Sequence, residues 1–209
     1  NVRCPASIAT SARRRYTEQT FDSSIGGQLA DPVRAVETAC MLFQGRIYYD
    51  FSPPVWRFYR FLTAASNDGA ELRLEWRPFL SEVDAQSAAG LALVEAVRGQ
   101  SPDRHGAYLQ ALLALRHLEG ADLTDPSVTS VAASSAGIAE VPAPDEDAVT
   151  RSTEEGIALG VSGAPTIFRH GPVLRVDVNP AAFAGDTVGR LALIDAVLQD
   201  DGIWSLRKP

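Results

Sequence analysis

Hydrophobic and polar positions change their spacing along the first half of the chain in the way that successive strands and helices do. Three segments follow one another: an apolar strand at 46–51, an apolar helix at 53–66 and a strand at 71–79. In the last segment Leu72, Leu74 and Trp76 alternate with charged residues, which is typical of a strand with one covered face. The order strand, helix, strand predicts a βαβ unit with a parallel pair of strands.

The next part of the chain, about residues 82–159, shows helical spacing only. The pattern predicts four helices, at 85–98, 102–118, 126–136 and 144–159. Ser101 and Asp125 each stand just before a proline, and a capping oxygen followed by proline at the first helical position favours a helix start. This part of the chain is therefore predicted to be all-helical.

Strands return after residue 160. Two short strands are predicted at 166–169 and 173–178, joined by a hairpin turn at His170-Gly171. A last helix is predicted at 188–199, and Trp204 is predicted to close over the core.

The first forty residues show little periodicity. The chain begins with Asn1, its only methionine is Met41, and the first convincing strand follows five residues later. We interpret residues 1–44 as an N-terminal extension, poorly ordered or mis-started, and residues 45–209 as one domain. A genuine extension docked on the domain is the alternative.

Composition limits the partners. The 209 residues carry a net charge of -7, so no basic surface dominates and binding to nucleic acid or anionic lipid is not expected. No apolar stretch of about 18 residues and no signal-peptide order is present, which predicts a cytoplasmic protein that does not span a membrane. Lys208 is the only lysine among 19 basic residues, a bias typical of a GC-rich bacterial genome.

Metal and disulfide chemistry find little support. The two cysteines, Cys4 and Cys40, match no metal-ligand or redox spacing, although a disulfide between them stays open. The three histidines have no ligand-spaced neighbours, so no metal site is expected.

One run of residues is more specific. Residues 160–168 read Gly-Val-Ser-Gly-Ala-Pro-Thr-Ile-Phe and resemble the cis-proline loop of the thioredoxin fold. With the βαβ start, the helices and the final hairpin, residues 45–209 resemble the DsbA-like thioredoxin family. The resemblance implies an α/β, thioredoxin-like fold with an all-helical insertion between the βαβ half and the cis-Pro hairpin half.

That family carries Cys-x-x-Cys where the first helix begins, and this chain does not. Aligned on Ser-Pro, Ser52 takes the place of the first cysteine and Val55 that of the second; aligned on Asp50, Pro53 takes the first place. A hydroxyl has no accessible redox couple, so dithiol chemistry is excluded at this point.

Serine followed by proline here is similar to kappa-class glutathione transferases and 2-hydroxychromene-2-carboxylate isomerases. That resemblance implies that Ser52 donates a hydrogen bond to a bound thiolate, while Ala164 and Pro165 hold the ligand backbone. Arg57 and Arg60 are candidates for a ligand carboxylate. Ser52 is also what an ordinary helix start uses, and the two arginines also fit a solvated stripe.

Three functions stay open. The first is a thiol-cofactor-dependent transferase or isomerase that uses glutathione or mycothiol and a small-molecule electrophile. The second is a non-catalytic peptide- or ligand-binding module of DsbA lineage. The third is an oxidoreductase by family assignment that uses another redox group. Relatives of this type imply a homodimer by analogy.

Overall fold

The fold starts with the predicted βαβ unit. The computed structural model describes residues 41–80, 84–169, 173–178 and 185–199. Strand β1 (Leu42–Tyr49), helix α1 (Pro53–Asn67) and strand β2 (Glu71–Pro78) follow one another, and the two strands pair in parallel along their whole length. Strand β1 begins four residues earlier than predicted, so residues 42–44 belong to it.

Four helices follow, as predicted: α2 (Ala85–Gln100), α3 (His105–Leu118), α4 (Pro126–Ser135) and α5 (Glu146–Ala158). Asp125 caps α4, because its side chain accepts a hydrogen bond from the main-chain N–H of Ser127. The predicted cap at Ser101 is wrong. Ser101 closes α2 instead, with its N–H donating to the Val97 carbonyl, and α3 begins only at His105.

The chain then returns to the sheet. Strands β3 (Thr166–Phe168) and β4 (Val173–Arg175) form the predicted antiparallel hairpin, and helix α6 (Thr187–Gln199) follows. The sheet order is β2-β1-β3-β4, and β1 pairs antiparallel with β3. Strand β1 therefore lies inside the sheet, which agrees with the complete burial of Ile47, Tyr48 and Tyr49.

Two large apolar clusters include residues of β1. One joins the end of β1 and the first turn of α1 to the helical insertion, and its largest members are Tyr49, Phe51, Val55, Leu91, Tyr108, Leu112 and Leu113. The other lies between the sheet, α1 and α6, and includes Phe43, Ile47, Phe58, Phe61, Leu62, Ile167, Leu191 and Leu198. The first turn of α1 thus packs in the first cluster through Val55, and the later buried residues of the helix pack in the second.

Some predictions lie outside the described residues. They concern the extension as far as residue 40, both cysteines, the His170-Gly171 turn and Trp204. The division into an extension and a domain at residues 44–45 stays a prediction.

Candidate functional site

Ser52 stands at the N-cap of α1 without making the usual cap. Its backbone is extended and its main-chain N–H donates to Oδ1 of Asp50 at 2.8 Å, but its hydroxyl forms no cap hydrogen bond. The next two residues are Pro53 and Pro54, which have no N–H, so the donor that an N-cap hydroxyl often uses at the second helical position is missing. Of the three residues that open α1, only Val55 has a main-chain N–H.

The Ser52 hydroxyl is left without a partner. Its Oγ is shielded from bulk solvent and forms no hydrogen bond to any residue that the structure describes. A buried hydroxyl in this state costs about 1–3 kcal/mol relative to a satisfied one. A ligand atom that accepts a hydrogen bond would recover this free energy.

The proline loop lies beside this helix start. The peptide bond between Ala164 and Pro165 is cis. The loop is held on both sides, because Oγ1 of Thr166 donates to the Gly163 carbonyl at 2.6 Å and the Val176 N–H donates to the Pro165 carbonyl at 3.0 Å. The N–H and carbonyl of Ala164 make no hydrogen bond within the described parts of the chain. This peptide unit can therefore pair with an extended ligand.

A cavity of about 460 Å³ joins these two features. Its volume lies in the range of small-molecule sites, roughly 300–1,000 Å³. Its walls come from the start of α1, the proline loop, the helical insertion and the end of β4, and are formed by Asp50, Phe51, Ser52, Pro53, Pro54, Leu80, Asp84, Ser87, Arg116, Ser162, Gly163, Ala164 and Arg175. The structure thus brings together three predicted site residues: Ser52, Ala164 and, directly after it, Pro165.

The helical insertion contributes charge to this cavity. Asp84 caps α2, accepting hydrogen bonds from the N–H groups of Gln86 and Ser87 and from the Ser87 hydroxyl, and it pairs with Arg116 at 3.5 Å. Burial alone would raise the pKa of the Asp84 carboxyl, but hydrogen bonds from Ser87 and Gln86 outweigh it, and the pKa lies below its ordinary value. Asp84 is therefore charged at neutral pH.

His117 also lies near the start of α1. Its ring stacks on Trp56 with a centroid distance of 5.8 Å. Burial lowers its pKa, and Arg116 acts in the same direction. An imidazole with a lowered pKa is neutral at pH 7.

Sequence reasoning missed Arg116, Arg175 and Asp84. They lie far apart in the chain, and none belongs to a recognisable motif. It also gave His117 no role beyond the end of α3, because only the fold brings that residue to Trp56.

The two arginines of α1 predicted as ligand contacts lie outside the cavity wall. Arg57 pairs with Asp177 at 2.9 Å, and the guanidinium of Arg60 lies over the Trp56 ring at 5.9 Å. Neither forms part of the cavity wall. Their assignment to a ligand carboxylate stays a prediction that this geometry does not support.

The described cavity wall contains no cysteine and no group of metal-ligating side chains. Residues 41–209 contain no cysteine. Within the described parts of the chain, no group of three or more histidine, cysteine, aspartate or glutamate side chains is placed to hold a metal ion. Val55, at the position of the second family cysteine, is completely buried.

Comparison with known proteins identifies the fold. No protein-family model matches the chain, and no curated protein matches it. Among solved structures, a periplasmic thioredoxin-like protein from Salmonella enterica serovar Typhimurium is 15% identical, with a TM-score of 0.54 over 71% of this chain and 84% of that chain. The catalytic domain of Proteus mirabilis ScsC is 17% identical, with a TM-score of 0.55 over 72% of this chain and 83% of that one.

A third similar structure is the cytosolic disulfide reductase DsbM from Pseudomonas aeruginosa with GSH. It is 15% identical, with a TM-score of 0.53 over 76% of this chain and 100% of that chain. The chain has the DsbA-like thioredoxin fold, with its helical insertion between the βαβ half and the hairpin half. The predicted fold class is confirmed.

The predicted location is wrong. A cytoplasmic protein was expected from the sequence, but similar structures include a periplasmic protein as well as a cytosolic one, so this fold does not indicate the cytoplasm. In the parts of the chain that the structure describes, no helix has the length and apolar character needed to span a membrane.

Proposed function

We propose that this protein binds a low-molecular-weight thiol in the cavity beside Ser52 and uses it in a transferase or isomerase reaction on a small electrophile. The observation that carries this proposal is the buried, unpartnered hydroxyl of Ser52 at a helix start that opens on a cavity. Rotation about the Cα–Cβ bond moves this hydroxyl between staggered positions, and Ser52 already forms part of the cavity wall.

The chemistry of Ser52 suits a sulfur ligand. A hydroxyl that donates a hydrogen bond to sulfur stabilises the thiolate relative to the thiol and so lowers the pKa of the bound thiol. The N-terminal end of α1 adds a partial positive charge and the N–H of Val55. When bound, the thiol supplies a nucleophilic sulfur, and the residues of this chain hold and orient it.

The proline loop supports the same ligand. The N–H and carbonyl of Ala164 point to no partner in the described chain, and a peptide ligand can pair with both groups as an added strand does. Pro165 has no N–H to donate, so this main-chain pairing with a ligand ends at Ala164. The similar DsbM structure, described as containing GSH, supports a thiol peptide as the ligand type.

A second function is favoured by one specific observation. The unpaired main chain of Ala164 suits any extended peptide, with or without sulfur, so a non-catalytic peptide-binding module explains the loop equally well. It does not explain why the Ser52 hydroxyl lacks a partner. The two functions therefore differ in whether binding needs the ligand thiol.

Thermal unfolding with added thiols tests the proposal. Wild-type protein and Ser52→Ala are titrated with glutathione, mycothiol and S-methylglutathione, which lacks a free thiol. A free thiol at a hundred times its dissociation constant should stabilise the wild type by about 2.7 kcal/mol. Weaker stabilisation of Ser52→Ala by the same thiol supports the proposal. Equal binding of S-methylglutathione favours the peptide-binding module, and no stabilisation at millimolar thiol rejects the thiol function.

A further inference from the structure

The cavity contains two guanidinium groups from distant parts of the chain. Arg116 comes from the last turn of α3, and Arg175 is the last residue of β4. We propose that Arg116 and Arg175 bind the carboxylates of the ligand, so that the cavity selects acidic, glutathione-like peptide thiols over thiols without a carboxylate, such as mycothiol. This inference rests on the proposed function, because it names the ligand class of the same site.

Arg175 is placed to meet a ligand. Its guanidinium lies against the proline loop: a β carbon added to Gly163 would lie 3.1 Å from its Cζ and 3.2 Å from one terminal nitrogen. The Arg175 side chain thus lies against Gly163. The next residue, Ala164, is the one whose main-chain N–H and carbonyl are unpaired. No acidic side chain in the described ranges forms an ion pair with Arg175, so its donors are available to a ligand in the cavity.

Arg116 is held in position from one side only. One of its terminal nitrogens donates to Oε1 of Gln86, and the other lies 3.5 Å from a carboxylate oxygen of Asp84. A guanidinium has five N–H donors, so these contacts orient the group and leave donors for a ligand. A side chain that is already ordered loses less conformational entropy when a carboxylate binds.

Two carboxylates also line the cavity, and one of them, that of Asp84, pairs with Arg116 at 3.5 Å. The carboxylate of Asp84 accepts three hydrogen bonds at the start of α2, and that of Asp50 accepts the Ser52 N–H. Both carboxylates therefore stabilise helix starts. Guanidinium and carboxylate groups form short, paired hydrogen bonds, which makes two arginines a selective site for an acidic ligand.

Calorimetric titration of the full chain tests this inference with three probes. Glutathione has the thiol and two carboxylates, its diethyl ester keeps the thiol without those charges, and S-methylglutathione keeps the carboxylates without the thiol. We expect the wild type to bind glutathione at least about tenfold more tightly than the diethyl ester. Arg175→Gln and Arg116→Gln should each weaken glutathione binding by a similar factor and reduce this preference.

Arg151→Gln is the matched control, since Arg151 is an exposed arginine of α5 outside the cavity wall. It removes the same charge and should leave both affinities unchanged. If Arg116→Gln unfolds, because Arg116 contacts Asp84 and Gln86, Arg175→Gln carries the test alone. Thermal unfolding of each variant identifies that case.

The possible results separate the inference from the function on which it rests. Equal affinity for glutathione and its diethyl ester, with both losing affinity in Ser52→Ala, overturns carboxylate selection and keeps the thiol site. Equal affinity for glutathione and S-methylglutathione, lost in Arg175→Gln, keeps the carboxylate pair and rejects the thiol function. No binding of any probe at millimolar concentration rejects both.

Discussion

Gly90 of α2 lies directly against the ring of Phe51, the residue that precedes Ser52. A β carbon added at position 90 would lie 2.7 Å from Cε2 of Phe51 and 2.9 Å from Cδ1 of Leu123. The helical insertion therefore packs so closely on the residues between β1 and α1 that position 90 has no space for a methyl group. The contact thus restricts the ring of the residue that precedes Ser52.

Gly90→Ala should thus destabilise the fold although alanine is the better helix former. We expect a loss of about 1–3 kcal/mol in the free energy of unfolding, because the ring of Phe51 and the side chain of Leu123 must move. Gly99→Ala in the same helix is the control. A β carbon there meets nothing within 4 Å, so this variant should gain up to about 1 kcal/mol. Urea unfolding measures both, and equal effects would contradict the close contact at Phe51.

Ser52→Ala should leave the fold as stable as the wild type or slightly more stable. The hydroxyl makes no cap and no other hydrogen bond in the described structure, so its removal leaves no partner behind. Asp125→Ala is the comparison, because that side chain does cap its helix, and we expect it to cost about 1 kcal/mol. A loss of similar size in Ser52→Ala would show that the hydroxyl has a structural partner.

The general fold is readable from the sequence because it depends on local patterns. The βαβ unit, the four helices of the insertion and the hairpin follow from hydrophobic spacing, and the run around Pro165 indicates the thioredoxin fold. The errors have local causes. Ser101 followed by proline has the form of a cap, yet Ser101 closes α2, and a turn separates it from α3.

The site is readable only in part. Ser52 and Ala164 belong to motifs, so the sequence identifies them. Arg116 and Arg175 line the cavity only because α3 and β4 pack around it. No residue spacing in the sequence predicts that these two arginines meet there. Arg57 shows the converse: it is near Ser52 in the chain, but on α1 it pairs with Asp177.

A buried carboxyl group should make stability depend on pH. Glu95 of α2 is almost completely buried, and burial raises its pKa to about 7 from an ordinary value of 4.5, against the attraction of Arg98 and Arg77. Between these values the folded protein keeps a proton that the unfolded chain has lost. The contribution of Glu95 is therefore full below pH 4.5 and falls by about 3 kcal/mol as the pH rises through 7.

His105 acts in the opposite direction over nearly the same range. Burial, and then Arg98, lower its pKa to about 4 from an ordinary value of 6.5, so stability is lost as the pH falls from 6.5 to 4. Between pH 4.5 and 6.5 the two effects oppose each other. His117, whose pKa is also lowered, acts in the same direction as His105. Relative to the wild type, the slope of stability with pH should become more positive in Glu95→Gln and more negative in His105→Gln. Urea unfolding at a series of pH values measures all three, and parallel profiles would refute this balance.

The last prediction concerns the cysteines that this chain lacks. Ser52 and Val55 stand at the N-cap and the third position of α1, where the DsbA-like proteins that the sequence resembles carry their cysteine pair, and Val55 is completely buried. If the cavity admits an extended peptide beside Ala164, the double variant Ser52→Cys with Val55→Cys should regain dithiol chemistry. A thiolate at a helix N-terminus is stabilised there, and the second thiol can complete the disulfide.

We expect the double variant to reduce insulin in the presence of dithiothreitol faster than the wild type and than either single variant. The single variants are the matched controls, because each adds one thiol and cannot form a disulfide between positions 52 and 55. Such activity shows that peptides reach the groove between α1 and the proline loop, as the peptide-binding function requires. If the double variant forms its disulfide with oxidised glutathione and still does not reduce insulin, large peptides are excluded. The peptide-binding module then loses its support, and a small thiol is left as the ligand that fits.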